Sequence, residues 1–210
     1  MTRLIIARHG NTFESHETPR RVGAKTNIPL TSKGRAQGTA IGRYLADHDM
    51  IPDRVFTSRL QRTMETAYTA LQEAGRPSAP MVPLKIFDEI DYGPDEDKTE
   101  AEVVARIGQD AITAWDRDAT VPPDWNVSPA DIIRNWHHFA ANLLDSFKDE
   151  TILVVTSNGI ARFAPHILVD IDAFHEKHPL KISTGAICIL DHDGQYWSVQ
   201  EWNLKPPLAE

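Results

Sequence analysis

The sequence predicts an α/β fold, a three-layer α/β/α domain around a mixed, mostly parallel sheet, with residues 1–210 as a single domain. Two observations lead there. Short apolar runs alternate with longer stretches of helical periodicity, the pattern of strands joined by crossover helices. The chain then closes on two strand-like runs separated by His192-Asp193-Gly194, a hairpin that adds antiparallel pairing to the sheet.

Each element has its own signal. Leu4 to Ala7 is a continuous apolar run, as expected of a strand buried on both faces. Arg35 to Ala46 reads as a helix, Arg54 to Thr57 as a strand, and Leu60 to Ala74 as a helix stopped by Gly75 with Pro77 beyond. Pro83 to Phe87 fits a short strand. Glu100 to Trp115 shows helical spacing at Val103, Ile107, Ile112 and Trp115, and Asp116 to Val127, with Pro122-Pro123, reads as a loop. Ser128-Pro129-Ala130-Asp131 is a helix start, with Ser at the cap and Pro at the first helical position, for a helix reaching about Phe147. Thr151 to Val155 is the most apolar strand and leads through Ser-Asn-Gly into another helix. Ala186 to Leu190 and Tyr196 to Trp202 form the closing hairpin.

Composition narrows the function classes. The chain has 22 Lys and Arg against 30 Asp and Glu, a net charge of −8. Such a surface disfavours nucleic acid and anionic membrane as partners, and an anionic ligand requires locally concentrated positive charge. Cys188 stands alone, so neither a disulfide nor a cysteine-based metal site is expected; it reads as a small buried strand residue. No leader or membrane-spanning run is read, and the expected location is cytoplasmic.

Ligands of open α/β sheets bind beyond the carboxyl ends of strands, and three such ends hold unusual residues. Arg8 and Arg62 can each present a guanidinium fork to phosphate oxygens. His9 can serve as nucleophile or base, and Gly10 lets a backbone amide approach an oxyanion. Two arginines beside one imidazole disfavour its protonated form, which suits a nucleophile. Phe87-Asp88-Glu89-Ile90-Asp91 supplies carboxylates for a proton donor. Taken singly, each has a plainer reading: an Arg-His-Gly tripeptide is weak, a helical arginine is usually solvated, and Asp88 to Asp91 can be only an acidic loop. His137-His138 point about 100° apart on a helix and do not form a metal pair. His175 and His178 lie in a polar connection with no evident role, and Trp115 and Trp125 flank the proline loop.

Together the pieces resemble the histidine phosphatase superfamily, which includes the cofactor-dependent phosphoglycerate mutases. Arg8-His9-Gly10-Asn11-Thr12 resembles its Arg-His-Gly-Glu/Gln-Thr/Ser signature. Pro29-Leu30-Thr31 with Gly34 and Gln37, then Ser58, Leu60, Arg62, Thr66 and Ala67, then Glu89 and Gly93, match further family elements in order. The resemblance covers residues 3 to about 162. It implies phosphorylation of His9, phosphoryl contacts from Arg8, Arg62 and Asn11, and Glu89 as general acid, without metal or cofactor.

One family residue is missing. The central strand of the family ends in His-Gly-x-x-x-Arg; here Ser157 falls at the histidine position, Asn158 at the glycine, and Arg162 at the arginine. Serine can donate one hydrogen bond to a phosphoryl oxygen but carries no charge. Asn27 stands where an aspartate is usual, and Ser15 where an asparagine is common. The expected function is a metal-independent phosphomonoester hydrolase of reduced activity, with Ser157 counted among the phosphate contacts. Its expected partner is a small phosphorylated molecule, with a homodimer left open. The alternatives are a phospholigand-binding protein that has lost turnover and phosphotransfer of the phosphoglycerate mutase type. Asp88, Glu89, Asp91, Asp95, Glu96 and Asp97 are expected at the pocket mouth, where they would favour neutral or cationic leaving groups.

Overall fold

The computed structural model describes residues 1–209. The strands β1 (Thr2–Arg8), β2 (Arg54–Thr57), β3 (Met81–Pro83), β4 (Thr151–Thr156), β5 (Ile187–His192) and β6 (Trp197–Leu204) form one sheet in the order β3-β2-β4-β1-β5-β6. Strands β1 to β4 run parallel. β5 is antiparallel to β1, and β6, antiparallel to β5, again runs with the majority. The sheet is therefore mixed and mostly parallel, with helices on both faces.

Alternation within the central strands creates those layers. Ile5, Ala7, Val55, Leu153 and Val155 point to one side, where they pack with Ile41 and Leu45 of α1 (Ser32–Asp47) and Ala67, Ala70 and Leu71 of α2 (Gln61–Glu73). Leu4, Ile6, Ile152, Val154, Cys188 and Leu190 point to the other, toward Trp115, Trp136 and Phe163. Burial pushes the Cys188 thiol up to about 12.

Several expectations need correction. The strand expected at Pro83–Phe87 lies earlier: Met81, Val82 and Pro83 pair with Val55, Phe56 and Thr57 of β2, the Leu84 N–H donates to the Thr57 carbonyl (2.8 Å), and Lys85–Phe87 then forms a single 3-10 turn. The helix expected over Glu100–Trp115 is two, α3 (Glu100–Ile107) and α4 (Gln109–Asp118), broken where Gly108 adopts φ +81°. α4 also runs on into the expected loop. The Ser128 start is as read: its hydroxyl accepts the Asp131 N–H, and α5 (Pro129–Ser146) buries Ile132, Trp136, Phe139, Ala140 and Leu143 along one stripe. After β4 come only the short α6 (Asn158–Ala161) and a 3-10 turn at Ala164–Ile167. The connection holding His175 is a further helix, α7 (Ile171–Lys177), capped by Asp170; with Phe174 its one buried residue, it leaves little periodicity to read. No helix of the described residues is long and apolar enough to cross a membrane.

Candidate active site

The sheet order makes β1 and β4 neighbours, and their carboxyl ends carry Arg8-His9 and Ser157-Asn158 side by side. The His9 N–H donates to the Thr156 carbonyl (3.0 Å), which fixes the two ends together. His9 is buried, and its Nδ1–H donates to the carbonyl of Gly10 (2.8 Å), since a carbonyl can only accept. That bond leaves Nε2 with the free lone pair. Burial, then the charges of Arg62 and Arg8, hold the ring well below the usual histidine range, so it is neutral.

The residues between His9 and Thr12 are held by the motifs that drew attention in the sequence. The Gly10 N–H donates to the Thr66 hydroxyl (3.0 Å), and that hydroxyl donates back to the Arg62 carbonyl (2.7 Å) within α2. Gly10 lies so close to Gly34 that a Cβ on it would stand 2.3 Å from the Gly34 carbonyl oxygen. Thr31 caps α1 by accepting the Gly34 N–H and also donates to the Asn11 carbonyl (3.1 Å), while Gln37 Oε1 accepts the Asn11 N–H (2.8 Å). The Pro-Leu-Thr-x-x-Gly-x-x-Gln stretch is thus the cradle of the histidine loop. Asn27, in place of aspartate, still supplies an acceptor, taking the Gln61 N–H (2.7 Å) that opens α2.

Arg8 donates Nη1 to the Ile182 carbonyl (2.6 Å) and lines the open cleft. Arg62 is fully buried and donates to the carbonyls of Thr26 (2.8 Å), Val22 and Gly23 (both 3.2 Å). Its fork, assigned to phosphate from the sequence, is therefore engaged by the carbonyls of the 22–26 loop. Among the described residues, Arg8 Nε, Arg62 Nε and Ser157 Oγ are buried without a hydrogen-bond partner. Ser157 is the capping residue of α6 but makes no side-chain cap bond.

Glu89 is buried. It accepts the N–H of Ile90 (2.9 Å) and of Gly159 (3.2 Å). Burial raises its carboxyl above the usual range, against the lowering effects of those N–H groups and of Arg62 and Arg8. A buried carboxyl that holds its proton longer than usual suits a general acid.

His9, Arg8, Asn11 and Glu89 line one cleft of about 880 Å³. Arg62 and Ser157 do not line it. Asn158 does, and so do Tyr92, Arg21 and Lys181, which the sequence does not single out. Tyr92 could have been found inside the Glu89-x-x-x-Gly93 element; Lys181 has no local signal, because only the fold brings it there. A second cavity of about 490 Å³ lies over α7 and β6, lined by Phe174, Trp197 and Val199, with none of the expected site residues.

The acidic loop differs from its expected role. Asp88 is paired with Arg59, Asp91 with Lys25, Asp95 with Arg106 and the Trp125 N–H, and Asp97 with Arg20. Glu96 accepts from the Gly23 and Lys25 amides and the Thr26 hydroxyl. Only Glu89 of that set lines the cleft; the other carboxylates lining it are Glu14, Glu17, Glu100 and Asp116, so the preference for neutral or cationic leaving groups rests on those residues and not on the Asp88–Asp97 run. Among the described residues no group of three His, Cys, Asp or Glu is arranged to hold a metal.

The family model for the histidine phosphatase superfamily (branch 1) matches residues 4–205. A 2,3-bisphosphoglycerate-dependent phosphoglycerate mutase of Mycobacterium tuberculosis is 32% identical over 57% of this chain and 47% of its own length, so the match spans about half of that relative. One from Gloeobacter violaceus is 28% identical over 76% of this chain and 71% of its own. Among solved structures, mycobacterial glucosyl-3-phosphoglycerate phosphatase superposes with a TM-score of 0.78 at 21% identity, over 97% of this chain and 99% of that one. The alpha-ribazole phosphatase of Shigella flexneri gives 0.74 at 19%, over 99% of both chains.

Proposed function

Because the chain belongs to the histidine phosphatase superfamily (branch 1), we propose that it is a metal-independent phosphomonoester hydrolase working through a phosphohistidine at His9. The observation that carries this reading is the state of His9: Nδ1–H tied to the Gly10 carbonyl, Nε2 left free, and the ring held neutral by burial and by the charges of Arg62 and Arg8. Nε2 attacks phosphorus, forming the N–P bond as the P–O bond to the leaving group breaks. Glu89 passes its proton to the departing oxygen. Water then attacks the phosphohistidine, its proton returns to Glu89, and phosphate leaves as the N–P bond breaks. Arg8 and Asn11, which line the cleft, are the donors assigned to the phosphoryl oxygens; Arg62 Nε and the Ser157 hydroxyl, buried and unpartnered outside its lining, are the further donors assigned, and the arginines counter charge that a metal would otherwise neutralise.

Phosphatases among the similar full-length structures support hydrolysis, and the mutases among the sequence relatives keep phosphotransfer as a second outcome. One observation favours a binding protein without turnover: Ser157, buried where the family has histidine, brings no positive charge.

The test is incubation with a panel of phosphomonoesters, a denaturing quench at alkaline pH to preserve the acid-labile N–P bond, and mass spectrometry. A phosphoryl group on the His9 peptide together with released phosphate supports the hydrolase. Bound, unconsumed ester with unmodified His9 supports the binder.

A further inference from the structure

The strap from Lys181 to Gly185, just before β5, is fixed residue by residue by amide side chains. The Ile182 N–H donates to Asn158 Oδ1 (2.8 Å), the Ser183 N–H to Asn203 Oδ1 (2.7 Å), and the Thr184 hydroxyl to Asn11 Oδ1. Gln37 Nε2 donates to the Thr184 carbonyl (3.0 Å). A loop whose backbone is anchored at successive residues presents its remaining groups at fixed positions.

One such group is the Ile182 carbonyl, which accepts Arg8 Nη1 at 2.6 Å. It is the one hydrogen bond that the Arg8 guanidinium makes among the described residues, and Nε has no partner. The Ile182 side chain is fully buried, so the residue cannot slide to follow a drifting arginine. Ile182 is thus held by its N–H and aims Arg8 by its carbonyl. The holder, Asn158, occupies the position where the family sequence has glycine, which has no side chain to make this bond. The Ile182 carbonyl that accepts Arg8 is neutral, so this contact leaves the arginine's charge for an anion.

We propose that Asn158 is a positioning residue that aims Arg8 at the phosphoryl group through Ile182. The proposal rests on the phosphate-site reading above, but its test does not need turnover. Inorganic phosphate binding is measured by calorimetry for the parent, Asn158→Ala and the space-filling Asn158→Leu, each in the presence of Arg8 and in an Arg8→Ala background. With Arg8 present, losing the Asn158 acceptor raises the phosphate Kd about tenfold, the scale of one hydrogen bond to a charged network. In the Arg8→Ala background the same substitutions change Kd less than about twofold, because their target is gone. A merely structural asparagine would weaken both backgrounds alike, and that result overturns the proposal, as does an unchanged Kd in both variants. Phosphate binding that responds in this way without ester hydrolysis leaves the proposal standing and removes the hydrolase reading. A parent that does not bind phosphate removes both.

Discussion

The Glu89 carboxylate occupies the space that a side chain at position 159 would need: it accepts the Gly159 N–H, and a Cβ on that glycine would stand 2.2 Å from Glu89 Oε1. The proposed proton donor is therefore seated by the absence of a side chain at the start of α6. Gly159→Ala must push the carboxylate aside. We expect kcat on an alkyl phosphate, whose leaving oxygen needs a proton, to fall about 10²-fold, within the usual range for general acid catalysis. The fall with p-nitrophenyl phosphate, a good leaving group, should be much smaller. Equal losses on both esters would place the damage elsewhere.

The two shifted groups set the pH profile. His9 must be neutral, and its depressed value moves the acid limb of kcat below the ordinary histidine range. Glu89 must be protonated, and its raised value moves the alkaline limb above the ordinary carboxylate range. The predicted optimum lies between these two displaced limbs. Glu89→Gln should abolish the alkaline limb on p-nitrophenyl phosphate while leaving the acid limb in place, as steady-state pH profiles would reveal.

Glu89 also has a stability signature. A carboxyl raised in the folded state means that folding takes up protons, so stability falls as pH rises from the unfolded value through the folded one. Glu89→Gln is therefore expected to raise Tm at pH 7 and to leave it nearly unchanged at pH 4. A lower Tm at pH 7 would mean that the hydrogen bonds to Ile90 and Gly159 outweigh the burial of charge.

Asp95 gives the opposite sign. Burial would raise it, but the Arg106 fork and the Trp125 N–H outweigh this and hold it below the usual range. Its contribution is present above the unfolded carboxylate value and is lost as pH falls through the folded one. Asp95→Ala should cost about 2–3 kcal/mol at pH 7, the scale of charge-assisted hydrogen bonds, and progressively less as pH falls through the lowered folded value, as read by denaturant unfolding.

The parts of the site legible in the sequence are those where a short motif touches its own neighbourhood or another motif. Gly10 against Gly34, Thr31 on Asn11 and Thr66 on Gly10 all join residues the sequence singles out. What was not legible depends on pairings made only by the fold. Nothing local to Arg8 points to the carbonyl of Ile182, 174 residues away. Nothing in the Asp88–Asp97 run says that its carboxylates meet Arg59, Lys25, Arg106 and Arg20 rather than the cleft. The strands were read from apolar runs, whereas the Gly108 break and the short helices after β4 carry too little periodicity to announce themselves.

Ser157 is where the catalytic reading meets its sharpest test. Its hydroxyl is buried, caps nothing and has no partner among the described residues, so it can be replaced without breaking an existing bond. A preorganised donor to a developing oxyanion is worth about 10²–10³ in rate, and serine supplies at most part of what a charged imidazole would. Ser157→His is therefore expected to raise kcat/KM on a simple phosphomonoester by about tenfold or more, with His9→Ala abolishing turnover in either background. On sequence grounds, adding Asn158→Gly should help by giving the new ring the family's glycine beside it. The structure reverses that expectation: Asn158 holds Ile182, and Ile182 holds Arg8, so the double variant should be slower than Ser157→His alone. A double variant faster than the single one would mean that space beside residue 157 matters more than the aim of Arg8. If neither variant exceeds the parent, a His9-dependent parent rate would assign Ser157 a specialised role in turnover, and a parent with no such rate would leave the binding reading.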